Sequence, residues 1–313
     1  MRTDLTSKRV SAIIPTFNAG EGFAELLDKL RAQTVPPHEI LVVDSSSRDG
    51  TVLIAERFGA RVYRLPQSEF DHGGTRNWAA SMTEGELLLF MTQDAVPVDA
   101  RLIERLVRSF EEEDRVACAY ARQVPHEEAN ALERWSRLHN YPEQSAVKTK
   151  ADVPRLGLRA FFCSNVCCMV RRDVFEAMGR FVEPSFFNED LFFAAKCLLA
   201  GYTVVYNAEA QVRHSHNYTL MQLFRRFFDN GVSMRRESWI LPYAKAHAAG
   251  SGLVRMQLNE IFRRRMWRLL PRLVAESAVK YLGFQLGKRY RLLPKRMRLW
   301  MSMHPDIWRK IDD

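Results

Sequence analysis

The chain has 313 residues, close to half of them hydrophobic, enough for one large α/β core and an appended element. It contains no run of about 18 uninterrupted apolar residues, which excludes a spanning helix. The charged N-terminus MRTDLTSKRVSAIIP lacks the apolar run of a secretory leader, so none is expected. The net charge of +9 is uneven: residues 251–313 hold fifteen Lys/Arg against five Asp/Glu, leaving about −1 for the rest. Five cysteines without a Cys-x-x-Cys pair argue for buried, reduced thiols rather than a zinc site.

Val10–Ile14 is a short β-branched run stopped by Pro15 and predicts a buried strand. Phe23, Leu26, Leu27 and Leu30 at helical spacing predict an amphipathic helix over Glu21–Gln33, ended by Pro36-Pro37. Glu39–Val43 predicts a second buried strand, followed by Asp44 and the polar turn SSSRDGT. Helix over Thr51–Phe58, strand over Arg61–Leu65, helix over Thr75–Met82 and strand over Glu86–Met91 follow. Beyond Pro97 come a helix (Leu102–Glu112), a strand (Val116–Tyr120) and a polar, less regular region from Gln123 to Arg159. Phe161–Val170 reads as strand, Phe186–Ala200 as a helix entered at Glu189-Asp190, and Thr203–Tyr206 as a last strand. Strands alternating with helices at this spacing imply a mostly parallel sheet flanked by helices. In such sheets ligands sit beyond the carboxyl ends of the strands.

Most of the chemistry-bearing motifs fall at those ends. The first two strands end in Pro15-Thr16-Phe17-Asn18 and in Asp44 with Ser45–Ser47, where hydroxyls and a carboxylate can hold a nucleoside, or simply cap a turn. No G-x-G-x-x-G or G-x-x-x-x-G-K-[ST] occurs, which disfavours a nicotinamide-binding Rossmann domain and a P-loop NTPase. In Phe70–Asn77 (FDHGGTRN), Gly73 and Gly74 would let backbone approach a ligand, and Arg76 would pair with a base carbonyl or phosphate. Asp94, in Thr92-Gln93-Asp94, stands where a carboxylate would hold a divalent cation bridging two phosphates. Asp190, in FFNED beside Glu189, is a candidate general base for an attacking hydroxyl. In RHSHNY, His214 is favoured as a second metal ligand over His216, because a turn is expected to separate the two.

Taken together, SAIIPTFN, EILVVDSSSRDGT, FDHGGTRN, LLLFMTQDAVP, FNEDLFFAAKCLLAGY and HSHNY resemble the family 2 glycosyltransferases of the GT-A fold, and within them the bacterial rhamnosyltransferases. The resemblance spans roughly residues 8–235, three quarters of the chain. It implies a nucleotide cradle from Thr16, Asn18, Asp44, Ser46 and Arg76, with Thr92 and Gln93 beside it. It also implies a Mg²⁺ or Mn²⁺ site at Asp94 with His214, and Asp190 as catalytic base. Thr92 stands where the family's Asp-x-Asp has its first acid, leaving one carboxylate for the metal. The implied reaction is inverting transfer of L-rhamnose from dTDP-β-L-rhamnose to a glycan or lipid-linked glycan acceptor in cell-surface polysaccharide synthesis. The alternatives are a UDP-hexose donor, or a catalytically silent scaffold subunit.

The expected division is a catalytic domain over residues 1–235 and a basic helical region over residues 236–313. Ile261–Val274 and Tyr281–Trp300 interleave Trp, Tyr, Leu and Met with Arg and Lys. Such helices suit an anionic membrane surface, placing a cytoplasmic protein at the inner face of the membrane, or else an amphipathic bundle packed on the catalytic domain or on a second subunit in a homo-oligomer. No recognised nucleic-acid module accompanies the basic residues, so nucleic acid is not an expected partner.

Overall fold

A computed structural model describes residues 8–111, 115–244 and 249–312. Nine strands form one sheet: β1 (Val10–Thr16), β2 (Glu39–Asp44), β3 (Arg61–Arg64), β4 (Leu87–Met91), β5 (Val96–Pro97), β6 (Val116–Val124), β7 (Ala146–Lys148), β8 (Cys167–Arg171) and β9 (Thr203–Arg213). Their order is β3-β2-β1-β4-β8-β6-β9-β5, with β7 also on β9. The strands β3, β2, β1, β4, β6 and β9 share one direction, while β5, β7 and β8 run against them. The sheet is therefore mixed, with a parallel majority. In β1 and β4 successive residues point to opposite faces. Ile13, Leu88 and Phe90 enter one core cluster, and Ala12, Ile14, Leu87, Leu89 and Met91 enter the other. An uninterrupted apolar strand is what burial on both faces requires.

Between the strands lie α1 (Gly22–Arg31), α2 (Thr51–Arg57), α3 (His72–Ser81), α4 (Leu102–Arg108), α5 (Ala131–Asn140), the single turn α6 (Val153–Leu156), α7 (Arg172–Ala177) and α8 (Glu189–Leu199). After β9 come α9 (Leu220–Arg236), α10 (Ala249–Arg263), α11 (Leu270–Lys288), α12 (Lys295–Met301) and α13 (Arg309–Asp312).

The structure departs from the sequence expectations in four places. The region expected to be irregular contains α5, β7 and α6; α5 buries only Leu132 and Trp135, too sparse a stripe to read. The strand expected from Phe161 begins at Cys167, after a 3₁₀ segment, and the one expected to stop at Tyr206 continues to Arg213. Helix α3 starts at His72, so Gly73 and Gly74 lie in its first turn rather than in a loop. Residues 236–313 pack on the rest of the chain. Glycines 231, 283 and 287 let α9 and α11 cross backbone to backbone, and a Cβ on Gly287 would strike the Phe228 carbonyl. Phe228, Tyr290, Ile307 and Trp308 bury against Phe186, just ahead of α8.

Candidate active site

Strand pairing assembles the acidic end of the site. Antiparallel pairing of β5 with β9 sets Val96 opposite Arg213. Asp94 and the residues after Arg213 therefore meet at one sheet edge. The Asp94 carboxylate lies 3.5 Å from His214 Nε2 and 3.2 Å from His216 Nε2. One ligand atom from each of the three falls within 4.8 Å of the others. The expectation that a turn separates the histidines is corrected: both rings converge on Asp94. Gln123 fixes the tautomer of the buried ring. Its amide nitrogen donates to Tyr141 Oη (2.6 Å) and Ser164 Oγ (2.9 Å), so its oxygen accepts, from Arg137 and from His214 Nδ1 at 3.0 Å. With Nδ1 protonated, His214 Nε2 presents a lone pair toward Asp94. Burial and Arg137 hold its pKa far below the ordinary histidine value, so it stays neutral. One carboxylate with two neutral imidazoles is a donor set that could hold a divalent cation.

The other end of the site is built on the tips of β1 and β2. Thr16 Oγ donates to Asp44 (3.1 Å), whose other oxygen accepts the Ser47 amide (2.9 Å). Gln93 grips the backbone of Phe17 from both sides, accepting its N–H at 2.7 Å and donating to its carbonyl at 3.1 Å. These pieces line a cavity of about 340 Å³ whose wall includes Thr16, Phe17, Ser45, Arg76, Thr92, Gln93, Asp94 and His216. Asp44 lies buried behind Thr16. Asn18 works as a loop tie, its Oδ1 accepting the Arg48 amide. Ser46 is corrected: at φ +62° its hydroxyl turns to the Leu65 carbonyl, and Ser45 faces the cavity instead.

The two glycines are also corrected as ligand-approach residues. A Cβ on Gly73 would strike the Val182 carbonyl and Ser185 Oγ, so these positions are small to admit the 182–185 segment. Arg76, one turn on, is 3 % exposed; it donates to the His72 carbonyl (2.9 Å) and pairs with Glu189 at 3.4 Å.

The base candidate reaches this site through Asn165. The Asn165 amide donates to Asp190 (2.9 Å) and its side chain to Glu189 (3.0 Å), while the next carbonyl, of Val166, accepts the Thr92 amide (3.2 Å). Residues 92–94 and 189–190 are thus tied to adjacent peptides on one side of the molecule. Burial, then the neighbouring Glu189, pushes the Asp190 carboxyl up to about 8. Glu189 serves as the buried partner of Arg76.

Three buried polar atoms on the cavity residues, Ser45 Oγ, Thr92 Oγ and Arg76 Nε, have no hydrogen-bond partner among the described residues. Orphaned buried groups cost roughly 1–3 kcal/mol each, so their convergence on one cavity marks a place a polar ligand completes. Sequence reasoning missed Phe70, His72, Phe187, Tyr218, Arg226, Met303 and His304, all lining the same cavity. For Met303 and His304 no local signal exists.

Comparisons with known proteins accord with this geometry. The family described as Glycosyl transferase family 2 matches residues 11–179. O-antigen chain rhamnosyltransferase RfbN of Salmonella typhimurium is 38 % identical over 97 % of each chain. The corresponding WbaN of Salmonella anatum is 38 % identical over 96 % of this chain and 95 % of its own. Among solved structures, mannosyltransferase PcManGT from Pyrobaculum calidifontis, in complex with GDP-Man and Mn²⁺, superposes with a TM-score of 0.59 at 17 % identity, covering 89 % of this chain and 88 % of that one. Staphylococcus aureus TarS 1–349 in complex with UDP-GlcNAc gives 0.53 at 17 % identity, covering 90 % and 91 %. At such identity these two speak for the fold.

Proposed function

The chain is a member of glycosyltransferase family 2, and from that premise we propose that it transfers L-rhamnose from dTDP-β-L-rhamnose to a hydroxyl of a glycan or lipid-linked glycan, with inversion. The observation that carries this reading is the cavity in which unpartnered Ser45, Thr92 and Arg76 atoms adjoin the Asp94–His214–His216 cluster. The two Salmonella relatives, alike over nearly their whole length, support rhamnose as the donor sugar.

Thr16, Ser45 and Phe17 bind the nucleoside against the tips of β1 and β2. Asp94, His214 and His216 would hold the cation, which when bound neutralises charge on the departing diphosphate. Arg76, in the lining of the same cavity, orients the donor. Asp190 takes the proton of the acceptor hydroxyl as its oxygen bonds to the anomeric carbon and the bond from that carbon to the phosphate oxygen breaks. A single displacement turns the β-linked donor into an α-L-rhamnoside, and the protein needs no covalent nucleophile.

We place this activity at the cytoplasmic face of a membrane, in synthesis of a cell-surface polysaccharide. No helix among the described residues is long and apolar enough to cross a bilayer. Phe262–Arg268 (FRRRMWR) is exposed at every position, with Phe262 and Trp267 edge to face at 5.0 Å, which suits shallow insertion among anionic headgroups.

The test is release of dTDP or UDP from dTDP-rhamnose, UDP-glucose, UDP-galactose and UDP-N-acetylglucosamine, with and without Mn²⁺ or Mg²⁺. Selective, cation-stimulated turnover of dTDP-rhamnose is expected. Preference for a UDP-sugar would replace the donor, and binding without turnover of any donor would make the chain a scaffold.

A further inference from the structure

The C-terminal segment returns to the wall of the cavity that Asp94 also lines. Asp229, on α9, is fully buried, and one of its oxygens accepts the backbone amides of Met303 (2.7 Å) and His304 (3.2 Å). This clamp sets both side chains into the cavity lining. Lys310, further along, pairs at 2.8 Å with Asp71, the residue that caps α3 through the Gly74 amide at 2.7 Å. The tail is thus fastened to α9 and to the cap of the helix that carries His72 and Arg76.

A directed hydrogen-bond chain runs from the sheet edge to that segment. Arg76 has only N–H donors, so at 3.4 Å His72 Nδ1 accepts. Burial holds both His72 and His304 neutral, His304 at about 4, each lowered further by nearby Arg226. Neutral His72 therefore carries its proton on Nε2 and donates to His304 Nε2, 3.4 Å away. That leaves His304 with its proton on Nδ1, a donor without a partner among the described residues. Around this N–H the wall is mixed: Phe187 meets the His304 ring edge-on at 5.2 Å, with Phe70 at 6.4 Å and Met303 beside it, while the Arg226 guanidinium lies over the Phe187 ring at 4.5 Å.

We propose that His304 is a donor-sugar recognition residue, brought to the cleft by the C-terminal segment. Its Nδ1–H donates to a hydroxyl of the transferred sugar, and the Phe70 and Met303 side chains beside it take the methyl group of a 6-deoxyhexose. The inference rests on the donor assignment above and adds to it a site residue that lies outside the region matched by the family, residues 11–179. Residues Asp229 and Lys310 act through His304 as positioning residues.

The experiment compares His304→Ala and His304→Gln with the unmodified full-length chain. Calorimetry with Mn²⁺ gives Kd for dTDP-rhamnose and for dTDP, and steady-state turnover gives KM and kcat. Loss of one sugar hydrogen bond raises KM and Kd for dTDP-rhamnose about tenfold in His304→Ala, with partial recovery in His304→Gln, which keeps an N–H. The Kd for dTDP, which lacks the sugar, changes less than about twofold. Equal weakening of both ligands, or of neither, overturns the proposal. In the unmodified chain, amide exchange across residues 302–306 slows with dTDP-rhamnose beyond what dTDP achieves; equal protection by the two would also overturn it, whether or not the variants fold. If another sugar nucleotide proves to be the donor, the donor assignment fails. His304 is then judged by the same comparison between that donor and its nucleoside diphosphate.

Discussion

Asp190→Asn isolates the proton-transfer step from donor binding. Asparagine keeps the size of the side chain but cannot accept a proton from an attacking hydroxyl. Positioned base catalysis contributes about 10²–10⁴-fold, so kcat should fall by that factor, equivalent to about 3–5 kcal/mol at 1.36 kcal/mol per tenfold. The donor KM should hold within about threefold, because Asp190 bonds to the Asn165 and Leu191 amides and does not line the nucleotide cavity. The pH profile supplies a second, independent readout. With the Asp190 carboxyl pushed up to about 8, only about 9 % of the free enzyme carries the ionised base at pH 7 and about 91 % at pH 9. Values of kcat/KM should therefore rise about tenfold over that interval, and the residual activity of Asp190→Asn should lack the rise. The assay is dTDP release from dTDP-rhamnose at saturating Mn²⁺ across buffers from pH 6 to 9.5. A variant whose KM climbs as far as its kcat falls, or one that keeps the alkaline rise, would refute the reasoning.

Four other outcomes follow from the geometry. Gln123→Ala frees the His214 ring, and loss of such an orienting partner should weaken Mn²⁺ affinity, measured by calorimetry, about 10–100-fold; unchanged affinity would remove His214 from the ligand set. Gly73→Ala drives a methyl group into the Val182 carbonyl and should cost roughly 2–3 kcal/mol in denaturant melts, whereas a neutral effect would mean the 182–185 segment yields freely. Asp229 is raised to about 7 by burial, so the stability tied to its bound proton is complete below about pH 4 and is lost as pH climbs through 7; between pH 5 and 8.5 the wild-type chain should lose roughly 2 kcal/mol that Asp229→Asn retains, and parallel melting curves would contradict this. Joint Phe262→Ser and Trp267→Ser substitution leaves the clamped C-terminal segment in place and should abolish flotation with anionic vesicles; equal flotation would move the membrane contact elsewhere.

The catalytic layer was legible because its strands are short, continuous apolar runs, a pattern that burial on both sheet faces imposes and little else produces. Asp94 could be picked out for the same reason, because it follows the apolar run of β4, whereas Asp190 was read from its place in the first turn of α8. What escaped depends on contacts distant along the chain. Convergence of His214 and His216 on Asp94 comes from a two-residue strand, β5, pairing with the far end of β9. Gly-Gly reads as a turn, but Gly73 is small because the 182–185 segment crosses it, more than a hundred residues away. Ser45 and Ser46 are indistinguishable by type, and only the left-handed backbone at Ser46 decides which hydroxyl faces the cavity. Residues 236–313 announce their basic, aromatic character but not that they wall the site, since the Asp229 clamp on Met303 and His304 spans about seventy residues and leaves no periodicity.

A crystal structure of the full chain with dTDP and Mn²⁺ would probe the arrangement most directly. The cation should sit on Asp94, His214 and His216, with the nucleoside against Thr16, Phe17 and Ser45 and Asp190 open to the same cleft. Density for dTDP instead in the larger cavity of about 500 Å³ between Arg64, Trp78 and Lys310, with Asp94 untouched, would contradict the account.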